Sequence, residues 1–566
     1  MRNTLYYGDN LPIMREHIPD ETIDLVYLDP PFNSARDYNV LFKQAKKDEN
    51  QAQITAFTDT WNWHKRTYDD FFEDTRNAKL FDLMESLYRI LGKSEIMAYL
   101  MMMGPRILEL HRKLKSTGTL YLHCDPTASH YLKLMLDATF FAVNFMNEIT
   151  WKRSSAHSDV KQGMSRCGRI HDILLVYKKG VQVVWNAVYT PYTPEYLQSE
   201  YRHVAQDGRR YKETDLTAAK PGGDTEYEWH VKRIKNSEAR WEADLENEYL
   251  YPQEDCEYKA VRPYRGRYWA YSKDNLVAFE KESKLVHRET GMPRLMQFAD
   301  EMPGVPLQDV WDDIPPASGS EDQGYQTQKP LALLDRIITA SSNPGDTILD
   351  PFCGCGTAVV AAEKLGRQWV GIDITYVALD LMVNRLAESF DLKRGTDYSV
   401  LGDPKDEHSA RRLFQESAKQ FELWAISLVA GFPQRSDRGV DGKVYFGDQN
   451  KRLQHAVCQV KGGHLTVSAL RDFAHVVKRE KAAAGFFICL ETPTKGMYQE
   501  ADELGFFQGP SGRKIPKLQI RTIKELLEGK EFDYPRGWSL RRSSKKMARK
   551  GEQRLLDEQL PNEDVV

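Results

Sequence analysis

The segment from Asp346 to Asp373 constrains the fold most, because two apolar runs flank a glycine-containing loop there. Residues 346–349 (DTIL) and 368–372 (QWVGI) predict two short buried strands, and residues 358–365 predict the helix between them. Strand, glycine loop, helix and strand together make a βαβ unit, which builds sheets with parallel strands and helices on both faces. The predicted fold class is therefore α/β, with a doubly wound sheet.

The loop between these strands, Asp350-Pro-Phe-Cys-Gly-Cys-Gly-Thr357, has features of a ligand-binding turn. Gly354 and Gly356 permit a tight turn and a close approach of the backbone to a ligand. Asp373 ends the next strand, roughly 20 residues further on, where an acid can bind ribose hydroxyls. Asp350 ends the first strand and could face an amino group of the same ligand.

A second loop, Asp29-Pro30-Pro31-Phe32, follows the β-rich run at residues 22–28 (TIDLVYL). An exocyclic base amine is a poor nucleophile, because its lone pair is delocalised into the ring. The Asp29 carboxylate and the Pro30 carbonyl can accept both amine hydrogens and favour the tetrahedral nitrogen of the transition state. The prolines fix that carbonyl, and Phe32 offers a face on which an extruded base can stack. The loop thus predicts chemistry on a base amine.

Together, DPPF and DPFCGCGT resemble the amino-methyltransferases of DNA, in the permuted order of their β group. Further matches are Thr327-Gln328-Lys329-Pro330, Gly8-Asp9 and Tyr121-Leu-His-Cys-Asp-Pro126. The resemblance covers about residues 1–395 and implies a permuted Rossmann-like methyltransferase that acts on double-stranded DNA. It also implies that both loops meet at the carboxyl edge of one sheet.

The resemblance implies that the cofactor is S-adenosylmethionine, and that the target base lies at Asp29, Pro30, Pro31 and Phe32. The implied cofactor-binding residues are Asp9, Lys329, Asp350, Phe352, Gly354, Gly356, Thr357 and Asp373. In this family an acidic first residue in the catalytic loop favours adenine N6, whereas serine is commoner for cytosine N4. Cytosine N4 and RNA or protein methylation stay as alternatives.

Residues from about 150 to 310 are rich in Tyr, Trp, Arg, Glu and Gly and have weak periodicity, which indicates an inserted module at the family's target-recognition position. The predicted domains are residues 1–150 (catalytic half), 151–315 (inserted recognition region), 316–400 (cofactor half), 405–537 (nuclease-like) and 538–566 (a charged, disordered tail).

The last folded domain carries Asp437-Arg-Gly-Val-Asp441-Gly and, on a following strand, Gln459-Val-Lys461. This set, with Glu422 on a preceding helix (410–429), is similar to the Mrr-like branch of the PD-(D/E)XK nucleases. The resemblance implies that Asp441 and Gln459 bind Mg²⁺ and that Lys461 activates water, with Glu422 as an additional acid. Gln459 replaces the usual acid, so a non-catalytic DNA-binding or partner-docking domain is the alternative.

Composition limits the remaining possibilities. The net charge of the 566 residues is −4, so DNA contacts are expected from basic patches, at residues 152–169, 230–240 and 541–550. No apolar run approaches the roughly 18 residues that a membrane span needs, and a cytoplasmic protein without membrane contact is expected. Seven cysteines without a CxxC pair indicate free thiols, and Cys353-x-Cys355 lacks further zinc ligands. A homodimer or a restriction-modification partner subunit stays open, and His123 and His171-Asp172 are interpreted as structural.

Overall fold

The structure is a computed structural model. It describes residues 2–31, 37–42, 52–58, 77–154, 167–235, 239–318, 321–323, 327–429, 431–434, 439–447, 453–508 and 513–535. Phe32, most of the basic patch at 152–169 and the predicted tail lie outside these ranges. The chain divides into two compact units, of which the smaller is residues 187–307 and the larger is the remainder.

Among the first 186 residues, the described ranges contribute seven strands and four helices to the larger unit. They are β1 (Thr4–Tyr7), α1 (Asn10–His17), β2 (Ile23–Leu28), β3 (Asp37–Phe42), β4 (Ala52–Thr58), α2 (Ala78–Leu91), α3 (Glu95–Lys113), β5 (Leu114–Cys124), α4 (Ser129–Phe140), β6 (Phe145–Lys152) and β7 (His171–Lys178). Every residue of β2 is buried, and the strand stops before Asp29-Pro30 because proline cannot donate to a ladder. The Ser94 side chain caps α3 by accepting from the Met97 amide.

The smaller unit, residues 187–307, is built from short strands. They are β8 (Tyr189–Thr190), α5 (Pro194–Glu200), β9 (His203–Val204), β10 (Arg210–Thr214), β11 (Thr217–Ala218), β12 (Trp229–Ile234), β13 (Glu242–Ala243), β14 (Cys256–Val261), β15 (Tyr268–Trp269), α6 (Lys273–Lys281), β16 (Leu285–His287), β17 (Pro293–Phe298) and β18 (Val305–Pro306). Its core contains three buried tryptophans, Trp229, Trp241 and Trp269, packed with aliphatic side chains. Short strands and large rings explain why the sequence shows little periodicity here.

The chain then returns to the larger unit. The elements are β19 (Val310–Trp311), α7 (Leu331–Ser341), β20 (Thr347–Asp350), α8 (Thr357–Lys364), β21 (Gln368–Asp373), α9 (Tyr376–Phe390), β22 (Ser399–Leu401), α10 (Glu407–Glu416), α11 (Ala418–Ser427), β23 (Phe432–Pro433), β24 (Gly442–Gly447), β25 (Leu453–Lys461), α12 (Val467–Arg479), β26 (Ala484–Cys489), α13 (Lys495–Glu503), β27 (Phe506–Gln508), β28 (Lys514–Pro516), β29 (Leu518–Thr522) and α14 (Ile523–Leu527).

The main sheet has nine strands in the order β19-β6-β7-β5-β2-β20-β21-β1-β22. Only β7 runs antiparallel to its neighbours. The strands before the two predicted loops, β2 and β20, pair in parallel through Leu25–Ile348 and Val26–Leu349. The two loops therefore leave the same edge of the sheet, side by side, although about 320 residues separate them.

Strands β6 and β7 refine the predicted domain boundaries. Residues 171–178 fall inside the range expected for the insertion, yet β7 pairs with β5 and β6 in the main sheet. The separate unit starts at Ala187 and ends at Leu307, inside the predicted range 151–315. Among the described residues, no helix combines the length and the apolarity that crossing a bilayer requires.

The C-terminal domain has a five-stranded sheet in the order β23-β24-β25-β26-β29. The single helix predicted at 410–429 is wrong, because the backbone of Ser417 is extended (φ −158°, ψ 104°) and separates α10 from α11. The Ser417 side chain then caps α11 by accepting from the Gln420 amide at 3.3 Å. A capping residue inside an apolar helical pattern is easily overlooked.

Candidate active site

The two predicted loops line one cavity of about 650 Å³. Asp29, Pro30 and Pro31 form part of its wall, and residues 350–355 with Asp373 form another part. Thr327, Gln328 and Lys329, from the third matching segment, also line it. Proximity of the two loops, the geometric condition for the predicted chemistry, is therefore met.

Asp29 is bound by Lys329, whose ammonium donates to the carboxylate oxygen Oδ2. Both side chains are mostly buried, at 15% and 12% exposure. The sequence analysis placed Lys329 among the cofactor-binding residues, whereas the structure places its ammonium on the carboxylate of Asp29. Lys329 also lines the cavity.

Two acids, buried Asp350 and half-buried Asp373, lie at the ends of adjacent parallel strands. Burial raises the pKa of Asp350 well above its usual range, and the nearby charge of Asp29 adds to this effect. Burial also raises the pKa of Asp373. Desolvated carboxylates of this kind favour a ligand that brings positive charge or hydrogen-bond donors. Both acids line the part of the cavity where the cofactor is predicted to bind.

Asp373 also holds the glycine loop in shape. Its Oδ2 accepts from the Gly354 amide at 2.9 Å, and its Oδ1 accepts from the Thr375 amide and hydroxyl, both at 2.8 Å. In the same loop, Asp350 Oδ1 accepts from the Phe352 amide at 3.1 Å. These contacts within the protein hold the turn in its conformation without a ligand.

The two glycines of the loop have different roles. Gly354 lines the cavity and has a φ of +50°, whereas Gly356 precedes α8 with a φ of +77°. A Cβ on Gly356 would lie 2.5 Å from Cγ of Met382. Gly356 is therefore required for the packing of α8 against α9, and Thr357, which follows it, lines the cavity.

Asp9 lines the cavity and is held there by a hydrogen-bond network that the sequence did not reveal. Its Oδ1 accepts from the Leu11 amide at 2.9 Å, which caps α1, and from Arg106 Nη2 at 2.6 Å. Arg106 Nε also donates to Asn10 Oδ1 at 2.6 Å, and Asn10 Nδ2 donates to the Pro351 carbonyl at 2.7 Å. Arg106 and Asn10 thus tie the β1–α1 turn to the glycine loop.

A further polar group lies beyond Asp29, at the ends of β5, β6 and β7. Tyr27, Trp151, Arg153 and Asp172 line the cavity there, and fully buried His123 lies behind them. His123 contacts the Tyr27 hydroxyl at 2.9 Å and Asp172 Oδ2 at 3.2 Å. Burial opposes ionisation of Asp172, but His123 and nearby cations outweigh it and lower its pKa.

The predicted nuclease residues also come together. Asp441 is buried before β24 and its Oδ2 accepts from the Val460 amide at 2.7 Å. On α11, burial raises the pKa of Glu422, the charge of Asp441 raises it further, and Lys419 and Lys461 lower it. Glu422, Asp441 and Lys461 are therefore close enough to interact, although their elements are separate in sequence.

Gln459 Oε1 is buried without a hydrogen-bond partner, while its Nε2 donates to the Gly439 carbonyl at 3.4 Å. An unsatisfied buried oxygen beside an acid fits a divalent cation, which prefers oxygen ligands. Within the described ranges, no group of three or more His, Cys, Asp or Glu side chains is arranged to hold a metal.

Comparison with known proteins agrees with the geometry. The N6_N4_Mtase family model, described as DNA methylase, matches residues 23–384. The chain is 26% identical over 391 residues to the type II methyltransferase M.EcaI of Enterobacter cloacae, covering 68% of this chain and 69% of that protein. It is 27% identical to the Mod subunit of the type III restriction-modification enzyme StyLTI of Salmonella typhimurium, covering 65% of this chain and 50% of that subunit.

Among solved structures, the cytosine-N4-specific PvuII DNA methyltransferase aligns with a TM-score of 0.32 and 11% identity, covering 67% of this chain and 85% of that one. The family model extends over more than half of the sequence. The chain belongs to the N6/N4 DNA methylase family.

Proposed function

We propose that the protein transfers a methyl group from S-adenosylmethionine to the exocyclic amine of a base in double-stranded DNA, with adenine N6 as the preferred target. The observation that carries this proposal is the shared cavity, in which Asp29 and Pro30 lie beside the glycine loop. The acidic first residue of the catalytic loop supports adenine over cytosine.

The described residues fit the cofactor. Buried Asp350 and half-buried Asp373 line the cavity, and they suit the amino group and the ribose hydroxyls of the cofactor respectively. Gly354 lets the backbone approach closely. When bound, S-adenosylmethionine supplies an electrophilic methyl group on a sulfonium.

The chain's own residues prepare the nucleophile. The Asp29 carboxylate and the Pro30 carbonyl accept the two amine hydrogens, which concentrates the lone pair on nitrogen and favours direct attack. Asp29 then holds the proton that the methylated amine releases. No covalent enzyme intermediate is needed.

The smaller unit, residues 187–307, is proposed to select the DNA sequence. Its basic and aromatic side chains suit phosphate and base contacts. Because one relative is a Mod subunit, a partner subunit is a further possibility for the complete system.

Methylated-base sequencing of DNA from cells that express the protein tests the function and yields base and motif at once. N6-methyladenine within a recurring sequence is the expected result. N4-methylcytosine would correct the base assignment. Unmodified DNA, together with no transfer of labelled methyl groups in vitro, would refute the proposal.

A second activity is proposed for the C-terminal domain, namely Mg²⁺-dependent cleavage of DNA. The convergence of Glu422, Asp441 and Lys461 and the unsatisfied Gln459 Oε1 support it. Those residues would hold the cation and orient water, and the alternative is a non-catalytic DNA-binding domain. Cleavage of unmethylated DNA with and without Mg²⁺ separates the two.

A further inference from the structure

The sheet order divides the cavity into two sides. Strand β20 and the glycine loop lie on one side of Asp29, and β5, β7 and β6 follow on the other side. Asp172 and Trp151 pair across β7 and β6 at the same edge of the sheet as Asp29. A base whose amine faces Asp29 from the cofactor-distal side therefore lies next to Trp151, Arg153 and Asp172, which line the cavity.

Hydrogen-bond chemistry orders the buried chain behind this wall. An ionised carboxylate only accepts, so His123 Nε2–H donates to Asp172 Oδ2 at 3.2 Å. His123 Nδ1 is then an acceptor and takes the Tyr27 hydroxyl proton at 2.9 Å. Asp172 Oδ1 lies 3.3 Å from Nε of Arg153. Asp172 is only 2% exposed. Its two carboxylate oxygens are contacted by different residues, Oδ2 by His123 and Oδ1 by Arg153.

The target bases share one feature beside the amine. In adenine and cytosine, the carbon that bears the amine is bonded to an unprotonated ring nitrogen, N1 or N3, which accepts a hydrogen bond. Guanine and thymine carry an N–H at the corresponding position. A protein group opposite this edge must therefore donate. Arginine has five N–H donors and no acceptor, and the Arg153 atom that pairs with Asp172 is Nε.

We propose that Arg153 donates to the ring nitrogen next to the target amine, and that Asp172 and His123 are positioning residues that aim its guanidinium. This assignment rests on the proposed methyl transfer to a base amine. It gives the site a reason to accept adenine or cytosine and to reject guanine and thymine, because a buried N–H facing a guanidinium leaves both donors unpaired.

The test uses duplexes in which the target adenine is replaced by 1-deazaadenine, which has a C–H in place of N1. Wild-type kcat/KM should fall roughly 10- to 100-fold, the range of a hydrogen bond to a charged donor. Arg153→Met should lose a similar factor on the natural duplex and nothing further on the analogue. Asp172→Asn should lower kcat/KM by a smaller factor. The ratio of kcat/KM between the natural and the analogue duplex should also be smaller than in wild type, which a purely structural role of Asp172 would not produce.

Arg89→Met is the matched control, because Arg89 is exposed on α2 and pairs with Glu85. It should keep the full analogue effect. Equal kcat/KM of the wild type on both duplexes would overturn the inference. It would also be overturned if Arg153→Met lost as large a factor in kcat/KM on the analogue duplex as on the natural one, because the two changes would then act independently. No transfer to the natural duplex by wild type would instead refute the proposed function itself.

Discussion

Lys329 donates its ammonium to the carboxylate of Asp29, across 300 residues of sequence. Lys329 stands just before α7, and Asp29 follows β2, the neighbour of β20 in the sheet. This ion pair joins the segment that precedes the cofactor loop to the residue that would bind the base amine. Lys329 is therefore expected to orient the Asp29 carboxylate for the proposed reaction.

Replacing Lys329 with methionine tests that role. Loss of a charged hydrogen bond at a partly buried carboxylate should lower kcat roughly 10- to 100-fold and leave the Kd of the cofactor nearly unchanged. Lys329→Arg should recover part of kcat, because it keeps the charge. A raised cofactor Kd with normal kcat would show instead that Lys329 serves the cofactor.

Asp350 predicts a pH dependence of cofactor binding. Burial raises the pKa of Asp350 above the usual value of about 4. In the pH window between the unfolded and the folded pKa, the folded chain therefore keeps a proton that the unfolded chain loses. The contribution of Asp350 to folding stability falls as the pH rises through this window. A cationic cofactor favours the ionised form, so binding should release a proton and tighten as the pH rises through that window.

Isothermal titration in two buffers with different ionisation heats measures that proton release. Asp350→Asn should weaken binding and remove most of the pH dependence. Identical binding heats in both buffers, within the window above pH 4, would contradict the assignment of Asp350.

Gly356→Ala should destabilise the main domain by about 2–4 kcal/mol, because the residue has a positive φ and its Cβ would overlap Met382. Gly366→Ala is the matched control, since Gly366 has a φ of +70° but a Cβ added there would meet no atom within 4 Å. That variant should cost only about 1 kcal/mol. Urea unfolding compares the two, and equal losses would show that the Met382 overlap relaxes.

Lys461→Ala should abolish Mg²⁺-dependent cleavage and leave methyl transfer unchanged, because Lys461 stands at the end of β25 in the separate C-terminal sheet. Lys443→Ala is the control, since Lys443 is on the neighbouring strand and pairs with Glu480. Plasmid nicking measured beside methyl incorporation reads both activities. Mg²⁺-dependent cleavage by Lys461→Ala would contradict a catalytic role for Lys461.

Local chemistry explains which parts of the site were predictable. Asp29-Pro30 and the glycine loop are each formed by residues that are adjacent in sequence, so their strand ends and turns could be predicted from the sequence. Pairing of β2 with β20 followed only from the resemblance, because no local pattern encodes which parallel strands become neighbours.

Residues that act through long-range contacts were not predictable. Arg106 is one of several charged residues in helix α3, and nothing nearby in sequence indicates that it binds Asp9. His123 and Asp172 were interpreted as structural, and only the strand register brings them together beside Arg153. The break at Ser417 was missed because serine is compatible with a helix interior as well as with a cap.

The most direct test of the central claim is the Asp29→Ala variant, assayed for labelled methyl transfer to DNA beside cofactor titration. Asp29 is expected to act on the base amine, so transfer should disappear while the cofactor Kd stays within about threefold of wild type. Full methyl transfer by Asp29→Ala would contradict the account.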